Sequence, residues 1–236
     1  VDNKLISRAF LFYLLTNKYD KAKKIMLYYK EKMKNSKDHW ELRHLVHFYR
    51  LLNQNEQAVE LSKKLHMLQQ KLDCGGWGYL TIQAAALIEL ERFDEAQNAI
   101  SEAYDIVKTS KEHIDGAKKT WESWIKELDI KMAIYKNDIE SAYVKIHEAK
   151  NADTKLWSAE KDYGIAQAYS ELGNIDESYK WLVSYIEKKH INYSKKIIYR
   201  KEWKNFRKDP RYLDILKKLK LYNFWKDEPE IKNLIR

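Results

Sequence analysis

Five times along this chain, an aromatic or aliphatic residue is followed by a polar turn and, nine positions later, by a small residue. The five small residues are Ala22, Ala58, Ala96, Ala142 and Ser178. They lie 36, 38, 46 and 36 positions apart, and a period of about 34 residues is typical of helix–turn–helix repeats. The pattern therefore predicts a repeat protein in which each unit is a pair of antiparallel helices.

Composition points to the same fold class. The chain has 236 residues but only two prolines and six glycines, which is too little turn chemistry for a sandwich or barrel of many short strands. Eight tryptophans and seventeen tyrosines exceed the needs of a helical bundle, and we expect some of them to line helix seams and a groove. The single cysteine, Cys74, excludes an internal disulfide framework.

Five helix pairs follow from the pattern, each with a first helix, a turn and a second helix. The predicted pairs are 4–16 with 20–34, 38–52 with 55–71, 78–91 with 94–108, 117–136 with 138–150, and 156–172 with 175–189. The long 46-residue step predicts an insertion at 108–119. We therefore expect repeats over 1–190 and a C-terminal capping segment over 191–236.

The turn and the small residue have a physical explanation. The two helices of a pair cross where their backbones nearly touch, so that only Ala or Ser fits between them. Asn17, Asn53, Asn137 and Gly173 stand where a helix end commonly needs a left-handed residue, a conformation that Gly and Asn tolerate best. Glu91 departs from this rule in the third pair.

These positions resemble the tetratricopeptide repeat, in which the eighth, twentieth and twenty-seventh positions are small. The twentieth position matches in all five copies, whereas the other two match only in part, at Ala84, Ala103, Ala149 and Ala166. The resemblance implies an all-α, right-handed superhelix of about five helix pairs. It also implies a protein–protein interaction domain.

The C-terminal segment 203–225 resembles the tail of bacterial tetratricopeptide domains attached to winged-helix regulators or adenylate cyclases. Asp209-Pro210 predicts a helix start, since Pro is well tolerated in a first turn. The leucines expected to pack on the last pair are Leu213, Leu216, Leu219 and Leu221. The resemblance implies that the chain belongs to a larger bacterial signalling or transcription-regulatory protein.

In this family several positions of each first helix point into the concave groove. Carried over onto this chain, they give the candidate partner-binding residues Trp40, Arg43, His47, Arg50, Trp124, Lys131 and Tyr163. An aromatic, cationic groove suits a peptide with acidic or C-terminal carboxylate groups. Arg43 and His47 occupy sites comparable to the family's carboxylate clamp, but its Asn is missing. The alternative is a solvated concave face with no dedicated ligand.

The distribution of basic residues indicates a second possible class of function. The formal net charge is +9, and residues 195–220 hold eleven Lys/Arg and three acids, while 18–37 holds eight Lys and two acids. Such stretches can attract nucleic acid or anionic lipid, although solvated, Lys-rich helix faces are the simpler explanation. Self-association is a third option, through the aromatic residues Trp203, Phe206, Tyr222, Phe224 and Trp225.

The sequence gives little support for a metal site, a phosphate-binding loop or a catalytic site. His44 and His47 are three apart on one helix, but no Cys or acidic ligand is suitably spaced beside them for a metal site. The segment 74–78 lacks the Lys-Ser/Thr ending of a phosphate loop. Glu89, Glu91 and Glu140 fall on helix surfaces rather than in a catalytic pair. We therefore expect no metal, no cofactor and no catalytic site, and the longest apolar run, 9–15, is too short to span a bilayer.

Overall fold

The computed structural model describes residues 3–16, 18–36, 39–71, 77–109, 115–151, 158–188 and 201–229. All regular structure in these ranges is helical, which confirms the all-α fold class. The helices are α1 (Asn3–Leu15), α2 (Tyr19–Lys32), α3 (His39–Leu51), α4 (Asn55–Lys71), α5 (Trp77–Glu89), α6 (Phe93–Thr109), α7 (Asp115–Tyr135), α8 (Ile139–Asn151), α9 (Ser158–Glu171), α10 (Ile175–Glu187), α11 (Arg211–Lys218) and α12 (Tyr222–Trp225). Within these ranges, no helix has both the length and the apolar character needed to cross a bilayer.

The first ten helices coincide with the predicted ones, and no end differs by more than two residues. The predicted insertion at 108–119 is described only in part, because residues 110–114 lie outside the described ranges. From Asp115 onward it belongs to α7, a helix of 21 residues. The glycine-rich segment around Cys74 also lies outside the described ranges.

The turns within the pairs share one geometry. Asn53, Asn137 and Gly173 have φ values of 57°, 58° and 76°, so the predicted left-handed residues are confirmed at these three positions. Glu91 has a φ of 59° and adopts the same conformation although its side chain disfavours it. Asn17 lies outside the described residues.

The hydrogen bonds of these turns explain the nine-residue spacing. In the second pair the recurring aromatic residue is Tyr49. Its carbonyl accepts from the N–H of Gln54, five positions later, at 2.8 Å. The carbonyl of the same Gln54 accepts from the N–H of Ala58 at 3.1 Å, which begins α4. One residue thus closes the first helix in a Schellman motif and opens the second.

The same two bonds recur in each pair. The closing bonds join Lys18 to Tyr13, Gln54 to Tyr49, Arg92 to Leu87, Asp138 to Ala133 and Asn174 to Tyr169, at 2.7–2.9 Å. All five small residues are completely buried, as the pattern predicts. In the fifth pair the hydroxyl of Ser178 also donates to the carbonyl of Ala166 at 2.8 Å, which shows how closely α10 approaches α9.

The chain divides into two compact units. The central unit comprises Leu27–Trp157 and the terminal unit comprises Val1–Met26 together with Ser158–Arg236. In the central unit α4 packs against both α3 and α5, α5 packs against α6 and α7, and α7 packs against α6 and α8. Neighbouring helices therefore form a continuous series of contacts within this unit.

The terminal unit has a different construction. Helix α9 packs against α10, and two short 3-10 turns, Lys201–Trp203 and Phe206–Lys208, pack against α9 and α10 respectively. Its core contains large aromatic and aliphatic side chains, among them Tyr163, Leu182, Tyr185, Trp203, Phe206, Tyr212, Ile215, Leu216, Leu219 and Leu221. The predicted packing of the C-terminal leucines on the last pair is thereby confirmed, with Leu213 at the edge of the core.

Helix α11 begins where Asp209-Pro210 predicts. The Asp209 carboxylate accepts from the backbone N–H of Arg211 at 2.9 Å and from its guanidinium at 2.8 Å. The guanidinium beside Asp209 lowers the pKa of that carboxyl, with backbone hydrogen bonding adding to the effect. Arg211 also pairs with Asp176 of α10 at 2.9 Å, so this start of the helix is tied to the last pair.

Candidate functional site

Two of the predicted groove residues meet at a third residue of opposite charge. Arg50 of α3 donates to Oε1 of Glu89 at 3.2 Å, and Lys131 of α7 donates to the same oxygen at 2.5 Å. Asn55 donates from its side-chain amide to Oε2 at 3.0 Å. We call these four residues the Glu89 network. It lies wholly within the central unit.

Helix ends place the members of this network. Arg50 is in the last turn of α3, Asn55 is the first residue of α4, and Glu89 is the last residue of α5. The Schellman turn between α3 and α4 fixes the separation of Arg50 and Asn55, because the carbonyl of Arg50 accepts from Asn53 at 3.1 Å within that turn. Lys131 reaches Glu89 because α7 packs directly on α5.

The network is buried and ionic. The side chains of Glu89, Lys131 and Arg50 are 4%, 7% and 15% exposed. Buried ions need partners, since desolvation otherwise disfavours them strongly. One carboxylate faces two cations here, and the negative end of the α3 dipole further stabilises Arg50. The Lys131 ammonium also lies 5.4 Å from the ring centroid of Tyr135, a favourable cation–π distance.

Some hydrogen-bonding capacity in the network is left over. Among the described residues, neither Nε of Arg50 nor Oδ1 of Asn55 has a hydrogen-bond partner, although both atoms are buried. A buried donor or acceptor without a partner costs about 1–3 kcal/mol. The network therefore contains ion pairs that stabilise the fold and two buried polar atoms whose missing hydrogen bonds lower its stability.

Glu89 corrects one prediction. The sequence placed it on a helix surface, but its side chain is buried at the centre of the network. A signal was present: a glutamate at the last position of a helix opposes the helix dipole, and α5 has no basic residue in its last turn. Such a glutamate needs cations from other helices, which Arg50 and Lys131 supply. Asn55 was likewise missed, because its role depends on the turn before α4.

The other candidates on α3 and α7 lie on the same helices as the network. Arg43, His47 and Arg50 follow a spacing of four and three residues, which puts them on one face of α3. Arg43 is exposed, whereas His47 and Trp124 are partly buried. The position of Trp40 is at the start of α3, but its side chain lies outside the described part of the structure.

Tyr163 belongs to the terminal unit. Its hydroxyl accepts from the indole N–H of Trp203 at 3.1 Å, and its ring lies 5.4 Å from that of Tyr185. The residue is buried in the aromatic core. Tyr163 therefore stabilises the packing of the C-terminal segment on α9.

The histidines of the second pair have separate surroundings. Burial lowers the pKa of His44, and the neighbouring Arg43 lowers it further, so both favour the neutral ring. His66 is buried and lies 2.9 Å from Glu102 and from Gln70. In the described ranges no three His, Cys, Asp or Glu side chains are grouped closely enough to hold a metal ion.

The scan against models of known protein families finds no match, and the search of curated proteins finds no significant relative.

Proposed function

We propose that this chain is a tetratricopeptide-like, right-handed superhelix that binds a peptide or protein partner in a concave groove. The repeated turn and the five buried small residues support this proposal, since both recur in every helix pair. The tail resemblance adds the context of a larger bacterial signalling or transcription-regulatory protein. In this role the chain is a binding module and not an enzyme.

The observation that carries the proposal is the meeting of Arg50 and Lys131 on Glu89. The family register assigns both residues to the groove although they are 81 positions apart in the sequence. In the central unit they reach one carboxylate from α3 and α7. The network thus joins α3, α5 and α7, which are the first helices of three consecutive pairs. A binding surface shared by these helices would require such a connection.

The chemistry of this surface favours an acidic partner. Arg43 and His47 lie on the same face of α3 as Arg50, and Arg43 is exposed there. Arginine binds carboxylates with two parallel hydrogen bonds and therefore confers orientation as well as affinity. An extended or helical segment with acidic side chains, or with its terminal carboxylate, matches this arrangement.

Site-specific photo-crosslinking tests the location of binding. A benzophenone amino acid is placed at Arg43 or His47 and, as controls, at the exposed Lys64 of α4 or Val144 of α8. We expect a partner from source-cell lysate to crosslink at positions 43 and 47 and not at the control positions. Equal crosslinking at all four positions would contradict a groove on α3.

Affinity measurements with the purified partner test the chemistry. Arg43→Ala should weaken binding by about 1.5–3 kcal/mol, which is the usual effect of losing a hydrogen bond to a charged group. Lys64→Ala is the matched control and should leave the affinity unchanged. Arg43 is better suited than Arg50 to this test, because a change at Arg50 also disrupts the Glu89 network. An unchanged affinity of the Arg43 variant would remove Arg43 from the proposed site.

A further inference from the structure

Lysines from both ends of the chain belong to the terminal unit. Residues 18–24 contain four lysines and one acid, and residues 217–226 contain four lysines and no acid. These two segments lie in the same compact unit. All eight lysines are exposed, namely Lys18, Lys21, Lys23, Lys24, Lys217, Lys218, Lys220 and Lys226.

A long-range hydrogen bond joins the two segments. The indole N–H of Trp225 donates to the carbonyl of Leu15 at 2.7 Å. Leu15 is the last residue of α1, where helix carbonyls have no partner within the helix and need one from elsewhere. Leu15 and Trp225 both pack against the core of the terminal unit. The end of α1 and the short helix α12 are therefore in direct contact.

Exposed large apolar side chains lie close in the sequence to the two residues of this junction. Phe12, one turn before Leu15, is 52% exposed, and Leu11 is 39% exposed. Tyr19, at the start of α2, is 49% exposed, and Phe224, next to Trp225, is 48% exposed. Exposed apolar residues that cluster among polar ones mark an interaction site. We call Leu11, Phe12, Tyr19 and Phe224, with the eight lysines, the terminal surface.

We propose that the terminal surface docks on the anionic phospholipids of a bilayer as a peripheral membrane contact. Its lysines match the negative surface potential of such a bilayer, and each lysine near the surface strengthens binding about fivefold. Its half-exposed aromatic and aliphatic side chains enter the boundary between head groups and acyl chains. This function is independent of the groove on the central unit.

The composition of the surface favours lipid over nucleic acid. Leu11 buries well in acyl chains but cannot stack on a base. The apolar residues are flanked by lysines, which act as point charges. Arg211 of α11, whose planar group would suit phosphates and bases better, pairs with Asp209 and Asp176 instead. Proteins that bind single-stranded nucleic acid usually combine side chains that stack on the bases with cationic side chains.

Vesicle flotation with the purified full chain tests the proposal. Binding to neutral phosphatidylcholine vesicles is compared with binding to vesicles that also contain phosphatidylserine. We expect flotation only with the anionic vesicles. Lys21→Glu combined with Lys218→Glu should lower the partition coefficient at least about 20-fold. The control, Lys64→Glu with Lys126→Glu in the central unit, changes the net charge equally and should have less than about a threefold effect.

The apolar part of the surface has its own test. Phe12→Ser with Phe224→Ser should lower binding to anionic vesicles about tenfold, because both rings leave the bilayer boundary. Met67→Ser with Val144→Ser removes apolar side chains of similar exposure from the central unit and should have no effect. Circular dichroism melting of each variant establishes that the fold is retained.

Three outcomes would overturn the proposal. The first is the absence of flotation with anionic vesicles at low salt. The second is an equal loss of binding in the surface and control variants. The third is tight binding of a single-stranded oligonucleotide, measured by fluorescence anisotropy, by a protein that does not float with vesicles. That result would assign the same lysines to nucleic acid.

Discussion

The two units share one turn geometry but are stabilised in different ways. In the central unit, consecutive helices pack on one another, and the Glu89 network joins α3, α5 and α7 through buried ionic contacts. In the terminal unit, an aromatic core around Trp203 holds irregular 3-10 turns against α9 and α10. Its buried polar groups include the uncharged pair of Trp203 and Tyr163, and the buried carboxylate of Asp162 pairs with Lys188. The repeat pattern therefore determines the helices but not the kind of core that holds them.

Replacing Trp203 by alanine should have the largest effect on stability. The side chain is completely buried among aromatic rings, and such truncations cost about 3–5 kcal/mol of unfolding free energy. Amide hydrogen exchange would measure the loss of stability in each of the two units separately. We expect lost protection in α9, α10 and α11 and smaller changes in α4 to α6. A uniform loss over both units would contradict their separate stabilisation.

Glu89→Ala should destabilise the central unit by about 3 kcal/mol, because Arg50 and Lys131 lose the buried carboxylate to which both donate. Chemical denaturation measures this loss. Glu89→Ala combined with Lys131→Met should recover part of it, since one of the two buried charges that faced this carboxylate is then removed as well. No recovery in the double variant would mean that Glu89 acts through packing and not through its charge.

Enlarging a small residue at a helix crossing should have a moderate effect. Ala96 is completely buried in α6, and a leucine there would force the helices of the third pair apart. We expect Ala96→Leu to lower the unfolding free energy by about 1–3 kcal/mol. Asn98→Leu, on the exposed side of the same helix, is the control and should be nearly neutral. A neutral Ala96→Leu variant would show that the crossing has spare room.

The helix pairs could be predicted because their signals are local. In each pair, a carbonyl near the end of the first helix accepts from the N–H five positions later, and the small residue stands nine positions after that carbonyl. These residues and the left-handed turn residue between them all lie within ten residues. The Glu89 network could be predicted only in part. Arg50 and Lys131 followed from the family register, but Glu89 and Asn55 depend on contacts between helices that are distant in sequence.

The contact between Leu15 and Trp225 is the clearest example of a feature that could not be predicted from the sequence. Its two residues are 210 positions apart, and neither has a periodic pattern that points to the other. Chain ends meet through tertiary packing, which a single sequence does not encode in any local spacing. The basic stretches were visible in the sequence, but their presence in one compact unit was not.

The smallest expected effect is a gain of stability at Glu91. This residue holds the left-handed conformation that Asn53, Asn137 and Gly173 adopt at equivalent turns. Glu91→Gly should raise the unfolding free energy of the central unit by about 0.5–1 kcal/mol, because the relief of backbone strain exceeds the added freedom of the unfolded chain. Asn137→Gly should gain less, since Asn already tolerates the conformation.

Thermal denaturation of these two variants, beside Gln97→Gly, separates turn strain from a general effect of glycine. Gln97 lies exposed in the interior of α6, where glycine should cost about 1 kcal/mol. The expected order of stability is Glu91→Gly, then Asn137→Gly, then the unchanged protein, then Gln97→Gly. If Glu91→Gly were destabilising, the side chain of Glu91 would contribute more than its backbone strain costs, and the third turn would differ from the others in its contacts as well as in its residue.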